Sequence, residues 1–168
     1  ANTTIEYGGE ADNNFASGGY YYSPVGSQHM IFDATTDLLI KSAVFYAEYP
    51  VTVTFELRDN NGLVIDDTTH SLLSGQQQLV LNFEVPSGTD MQLGISDGNT
   101  GLYRNDDDTD YPYDIGSIMR IHSNSASSLD YYYFYYNIEV EVACEEMSTS
   151  VIDLEKNNKK LLIIKDVL

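Results

Sequence analysis

Apolar and polar side chains alternate along most of the chain with the period of two that half-buried strands require, and helical periodicity is scarce. Residues 38–48 (LLIKSAVFYAE) and 51–58 (VTVTFELR) read this way. Asp59-Asn60-Asn61-Gly62 follows, and Asn-Gly supplies the positive φ angles of a tight turn, so 51–58 and 63–69 are expected to pair as antiparallel neighbours. Residues 77–85 (QQLVLNFEV) form the next strand, stopped at Pro86-Ser87-Gly88, and 91–96 (MQLGIS) another, stopped at Asp97-Gly98-Asn99. Proline removes a ladder donor and glycine admits unusual backbone angles. Residues 115–122 (IGSIMRIH) and 131–142 (YYYFYYNIEVEV) complete a set of seven to nine strands. This spacing predicts an all-β fold, an antiparallel β-sandwich of jelly-roll or Ig-like type with a short C-terminal β appendage. The Gly-, Asn-, Ser- and Tyr-rich stretch 8–28 reads as a surface segment or short edge strand. No repeat of twenty to fifty residues is present, which disfavours a solenoid or propeller.

Charge divides this pattern in two. Residues 1–143 carry 21 of the 26 acidic residues and only Lys41, Arg58, Arg104 and Arg120, a net −17, whereas 144–168 carry five acids and four lysines, a net −1. The break predicts an acidic sandwich module over 1–143 and, over 144–168, a linker with the first strands of a further unit. A net charge of −18 excludes a nucleic-acid surface, which needs clustered Lys and Arg, and gives no affinity for anionic lipid. No apolar run approaches the length of a membrane-spanning helix, and Ala1 reads as the start of a mature or trimmed chain. Fourteen tyrosines and six phenylalanines argue for a packed β protein over a disordered acidic chain. Cys144 is the sole cysteine, so neither an internal disulfide nor a zinc cluster of Cys and His is expected.

The densest charge feature is Asn105-Asp106-Asp107-Asp108-Thr109-Asp110. Crowded carboxylates repel unless solvent or a cation screens them, and calcium, which takes six to eight oxygen ligands, could gather Asp106, Asp108, Asp110 and Asp114 with backbone carbonyls. The loop lacks the central Gly and terminal Glu of an EF-hand, so a solvated loop tip is the alternative. Tyr103, Arg104, Tyr111 and Tyr113 flank it. Aromatic faces that cover sugar rings, with Arg and carboxylates that hydrogen-bond hydroxyls, are what a carbohydrate cleft requires, and these four residues are the expected ligand-binding edge.

Two aromatic runs, Tyr20-Tyr21-Tyr22 and Tyr131–Tyr136, extend this theme. In a regular strand Tyr131, Tyr133 and Tyr135 share one face and Tyr132, Phe134 and Tyr136 the other, with Phe134 marking the core side. The remaining tyrosines either form an exposed platform or pack beneath loops at the sandwich edge. Catalysis has less support. His29, His70 and His122 fall in separate strands without an HExxH spacing, no GxSxG elbow surrounds a serine, and each histidine is assigned to structure or surface. Cys144 lacks a basic neighbour to activate it, and a glycosidase-type carboxylate pair has only the abundance of acids in its favour. No enzymatic activity is expected.

The tail ends Lys159-Lys160-Leu161-Leu162-Ile163-Ile164-Lys165-Asp166-Val167-Leu168. This run, within residues 148–168, resembles the opening of the type A C-terminal sorting domain on cargo of the Bacteroidetes type IX secretion system, where the strand continues into a Gly-Arg-Glu turn. The sequence stops before that turn. The body resembles, more loosely, the accessory sandwich modules that precede such domains, through GLYRN at 101–105, YPY at 111–113 and YYYFYYN at 131–137. The resemblance implies a non-catalytic module, secreted or on the outer cell surface, with Lys160, Leu161, Leu162, Ile163 and Ile164 recognised by the outer-membrane secretion machinery. Physically, that strand is apolar on both faces and needs a partner: its own sorting domain, another sheet edge, a neighbouring subunit, or the body itself as a last strand. Two functions are therefore expected in turn, a module binding carbohydrate or another surface polymer, and a structural adhesin or filament subunit that self-assembles through strands.

Overall fold

The computed structural model describes residues 2–22, 25–98 and 100–143; the tail strand Lys160–Ile164 and Cys144 lie outside the described residues. Thirteen strands and one short 3-10 turn follow one another: β1 (Thr3–Gly8), β2 (Gly18–Tyr21), the turn Val25–Ser27, β3 (His29–Ala34), β4 (Leu38–Ala47), β5 (Val51–Arg58), β6 (Val64–Leu72), β7 (Gly75–Val85), β8 (Gly88–Ile95), β9 (Leu102–Asn105), β10 (Tyr113–Ile115), β11 (Met119–Asn124), β12 (Tyr132–Tyr133) and β13 (Tyr136–Ala143). The fold is an all-β sandwich of two antiparallel sheets. One sheet runs β1-β13-β4-β9-β12, with β7 on the other edge of β4 and β2 beside β9; the second runs β10-β11-β3-β8-β5-β6. Most connections pass from one sheet to the other. Ile5–Val142 make up one compact unit; of the other, Ala1–Thr4 with Ala143–Leu168, only Asn2–Thr4 and Ala143 are described.

The core lies between the sheets, where alternate positions of β3, β5, β8 and β11 present Met30, Phe32, Phe55, Leu57, Leu93, Ile95 and Ile121 to β4 and β7. Phe45 of β4 meets Phe55 of β5 with ring centroids 4.3 Å apart. Each such side chain withdrawn from water contributes about 1.5–3 kcal/mol. A register shift between Ile40 and Ser42 of β4 turns Ala43 and Phe45 inward after Leu38 and Ile40 and leaves Tyr46 on the outer face. That outer face is covered as well. Residues 10–17 fold over it, with the Asn105 side-chain amide donating to the carbonyls of Asn13, Ala16 and Ser17 and Phe15 packing edge-on against Tyr132.

The β5-β6 hairpin forms as expected: Gly62 takes φ 82° and Asp59 Oδ1 accepts the amides of Asn61 and Leu63. Two expected strands are broken. Residues 115–122 divide at Gly116, φ 54°, into the β10-β11 hairpin, and 131–142 bend at Phe134, φ 72°. Tyr132 and Tyr136 share a face as expected, but it is not the core side. Tyr132 and Tyr136 lie under the N-terminal loop, while Tyr135 enters the core and donates to the Gly94 carbonyl of the opposite sheet. Tyr132–Tyr136 are buried and form no exposed platform; Tyr131, at the start of the run, is partly exposed.

A tyrosine-walled cleft around Arg104

The short strand β9 sends its side chains to opposite sides. Tyr103 and Asn105 face the N-terminal loop, where Tyr103 packs edge-on against Tyr20 and Tyr46 and Asn105 Oδ1 accepts the Tyr136 hydroxyl. Arg104 faces the other way, with its guanidinium carbon 5.0 Å from the ring centre of Tyr21 and 4.9 Å from that of Tyr131. Around it opens a cleft of about 420 Å³, walled by Tyr21, Tyr131 and Tyr133 and edged by Ser27, Gln28, Ser125 and Ser127.

Each wall is held by identifiable contacts. Tyr21 is placed by the pairing of β2 with β9, and Tyr133 by the pairing of β12 with β9 opposite Arg104. Tyr131 stacks parallel to Tyr133 at 5.9 Å. Asn124 folds the serine loop: its Oδ1 accepts the Ala126 amide and its Nδ2 donates to the carbonyls of Ser128 and Tyr131. The Ser125 amide donates to the His29 carbonyl, and the His29 amide donates back to Ser125 Oγ. The 3-10 turn carrying Ser27 is fixed by Arg58, whose Nη1 donates to the Gly26 carbonyl at 2.9 Å. Glycine suits position 26, because a Cβ would fall 2.9 Å from the Asp97 backbone nitrogen as well as against its carboxylate.

Arg104 Nη1 lies 3.0 Å from Asp106 Oδ2, and Ser17 Oγ donates to Asp106 Oδ1. The Ser17 hydrogen bond, then the Arg104 guanidinium, hold the Asp106 carboxyl below the usual carboxylate range despite its partial desolvation. Burial pushes the Tyr133 hydroxyl up to about 12, against the opposing pull of Arg104. The cleft thus offers a half-neutralised guanidinium, flat aromatic walls and neutral hydroxyl and amide groups, a set that can grip a ring bearing several hydroxyls.

Of the four expected ligand-binding residues, Arg104 alone lines this cleft. Tyr103 is on the opposite face of its strand. Tyr111 and Tyr113 pack edge-on at 5.1 Å and cover Tyr132, with the Tyr111 hydroxyl donating to the Tyr131 carbonyl and the Tyr113 hydroxyl to Glu10. Burial raises the pKa of both hydroxyls and, with nearby acids, that of Glu10. The four aspartates likewise separate. Asp106 pairs with Arg104, Asp114 with Arg120 at 3.5 Å, and the Asp110 amide donates to the Tyr113 hydroxyl, while Asp108 sits at φ 55°. Among the described residues, three potential metal-ligand atoms gather within 4.8 Å of one another at Asp33, Asp90 and His122 instead.

Ser27, Gln28, Ser125, Ala126 and Ser127 carry no local signature in the sequence that places them in the cleft, whereas Tyr21, Tyr131 and Tyr133 belong to the two aromatic runs. Compared with protein-family models, curated proteins and solved structures, the chain shows no match.

Proposed function

We propose that the body is a non-catalytic module that binds carbohydrate or a similar hydroxyl-rich surface polymer in the Arg104 cleft. The carrying observation is the guanidinium set between two tyrosine faces in a cleft also lined by Tyr133, Ala126, serines and a glutamine. A sugar placed there stacks its C–H face on tyrosine and takes charge-assisted hydrogen bonds from Arg104. The proposed site of action is outside the cell or on its outer surface, supported by the resemblance of the tail to a type IX sorting strand and by the acidic composition of the body. Glycan-array binding by the full chain, repeated with Arg104→Ala and Tyr131→Ala, tests the binding function. A hit weakened about tenfold or more in both variants is expected; no hit on any glycan, or hits retained by both variants, refutes it.

A second reading, self-assembly, is favoured by the rim formed by β6 and β7, where Leu63, Leu73 and Val80 are more than half exposed. Light scattering separates the two functions: assembly predicts polymers that grow with concentration and are lost on deletion of residues 159–168, whereas a simple binding module stays at constant mass.

A further inference from the structure

On the outer face of the second sheet, three neighbouring strands bring Asp33 (β3), Asp90 (β8) and His122 (β11) together. We propose that they form a site for a divalent transition-metal ion of the zinc class. His122 Nε2 lies 3.0 Å from Asp90 Oδ1 and 3.3 Å from Asp33 Oδ1. Ligand atoms at about 2.0–2.1 Å from one ion are about 2.9 Å apart at right angles and about 3.3 Å apart at the tetrahedral angle, so these two separations match what a shared ion requires, and the two carboxylate oxygens lie within 4.8 Å of each other.

The backbone aims all three side chains. The β11-β3 register shifts between Ile121 and Ser123, which makes His122 the extra residue of a bulge. The β3-β8 register shifts between Phe32 and Ala34, opposite Asp90 at φ 56°. Bulges on both sides of Asp33 thus redirect its two neighbours toward it. Ser123 Oγ, 2.9 Å from His122 Nδ1, occupies the other ring nitrogen and leaves Nε2 for the carboxylates. Asp33 Oδ1 also accepts the Asp90 backbone amide at 2.9 Å, which ties the two aspartates together and leaves its second lone pair toward His122; one cation among the three atoms would offset their charge within a body carrying −17.

The donor set selects the metal. Calcium takes oxygen ligands, whereas an imidazole nitrogen with two carboxylates suits zinc and its neighbours. The Asp90 side chain is 63% exposed, so the remaining positions are open to water or to a ligand atom from outside.

Zinc chloride titrated into the tag-free full chain, followed by calorimetry and by melting temperature, tests the site. One saturable equivalent is expected, with a rise in melting temperature because the metal binds the folded state. Affinity should fall at least tenfold in His122→Ala and in Asp90→Asn, while Asp106→Asn and Cys144→Ser bind as the parent does, and excess calcium should not displace the zinc. Asp90→Asn alters an exposed side chain and guards against misfolding of the histidine variant. Absence of saturable zinc binding, or unchanged affinity in a folded Asp90→Asn or His122→Ala protein, overturns the proposal, as does loss of the site in Cys144→Ser.

Discussion

Arg58 and Arg104 each stand two residues from an acidic partner on the same strand or its extension, and each forms an ion pair, yet they do opposite work. Arg58 is buried, lies flat over Gly94, and spends its donors on Glu56, the Gly26 carbonyl and the Ile95 carbonyl. Arg104 has Asp106 and two aromatic faces, and its side opens on a cleft. Sequence context does not separate these arginines; what separates them is whether neighbouring backbone carbonyls absorb the guanidinium. A fully absorbed guanidinium is a fastener, and an incompletely absorbed one is available to a ligand.

Substitution at Arg58 should have the largest effect on stability. Arg58→Ala leaves the half-buried Glu56 without its partner, empties a buried site and frees the 3-10 turn, so a loss of about 3 kcal/mol is expected in denaturant melts, together with loss of cleft binding through Ser27 and Gln28. Tyr135→Phe removes the hydroxyl that satisfies the Gly94 carbonyl and should cost about 1–2 kcal/mol in the same melts without touching the cleft walls. Arg104→Ala should change stability by less than about 1 kcal/mol, because its ion pair is partly exposed, while removing ligand binding. If Arg104→Ala instead destabilises as Arg58→Ala does, the contrast between fastener and ligand group collapses.

A smaller, pH-dependent effect concerns His29, whose amide and carbonyl hold the serine loop. Burial, then the nearby positive charge of Arg58, lower its pKa to about 4 from an ordinary 6.5. The unfolded chain therefore takes up a proton at pH values where the folded one does not, and His29 lowers stability as pH falls from 6.5 toward 4. Glu10, raised by burial, and Asp106, lowered, act in opposite directions near the acid end of that range, so the clearest window lies above about pH 5. Melting temperature in His29→Gln should vary less between about pH 6.5 and pH 5 than in the parent; equal slopes contradict the assignment.

How far the sequence could be read follows from which signals are local. Alternation and turn residues specify β5 through β8 because pleat and turn chemistry act between near neighbours, as in the Asp59–Gly62 hairpin. The break at Phe134 has no such signal, since aromatic residues seldom adopt positive φ; Tyr132 and Tyr136 still share one face, but the core side is that of Tyr135 and not the one assigned through Phe134. Tyr103, Arg104, Tyr111 and Tyr113 are neighbours along the chain of a dense acidic loop, and proximity in sequence is the only signal that groups them. In space Asp106 pairs with Arg104 and Asp114 with Arg120, while β2, the 3-10 turn, β9 and the segment after β11 assemble the cleft from distant residues. The same holds for Asp33, Asp90 and His122, which no spacing rule connects and which adjacent strands unite.

The most direct measurement of the central claim is an amide chemical-shift map of the folded body during titration with a glycan identified on the array. The account predicts perturbations concentrated at Tyr21, Ser27, Gln28, Arg104, Ser125 and Tyr131, and their absence in Arg104→Ala. Perturbations confined to the acidic loop with Tyr111 and Tyr113, and unchanged by Arg104→Ala, would contradict it.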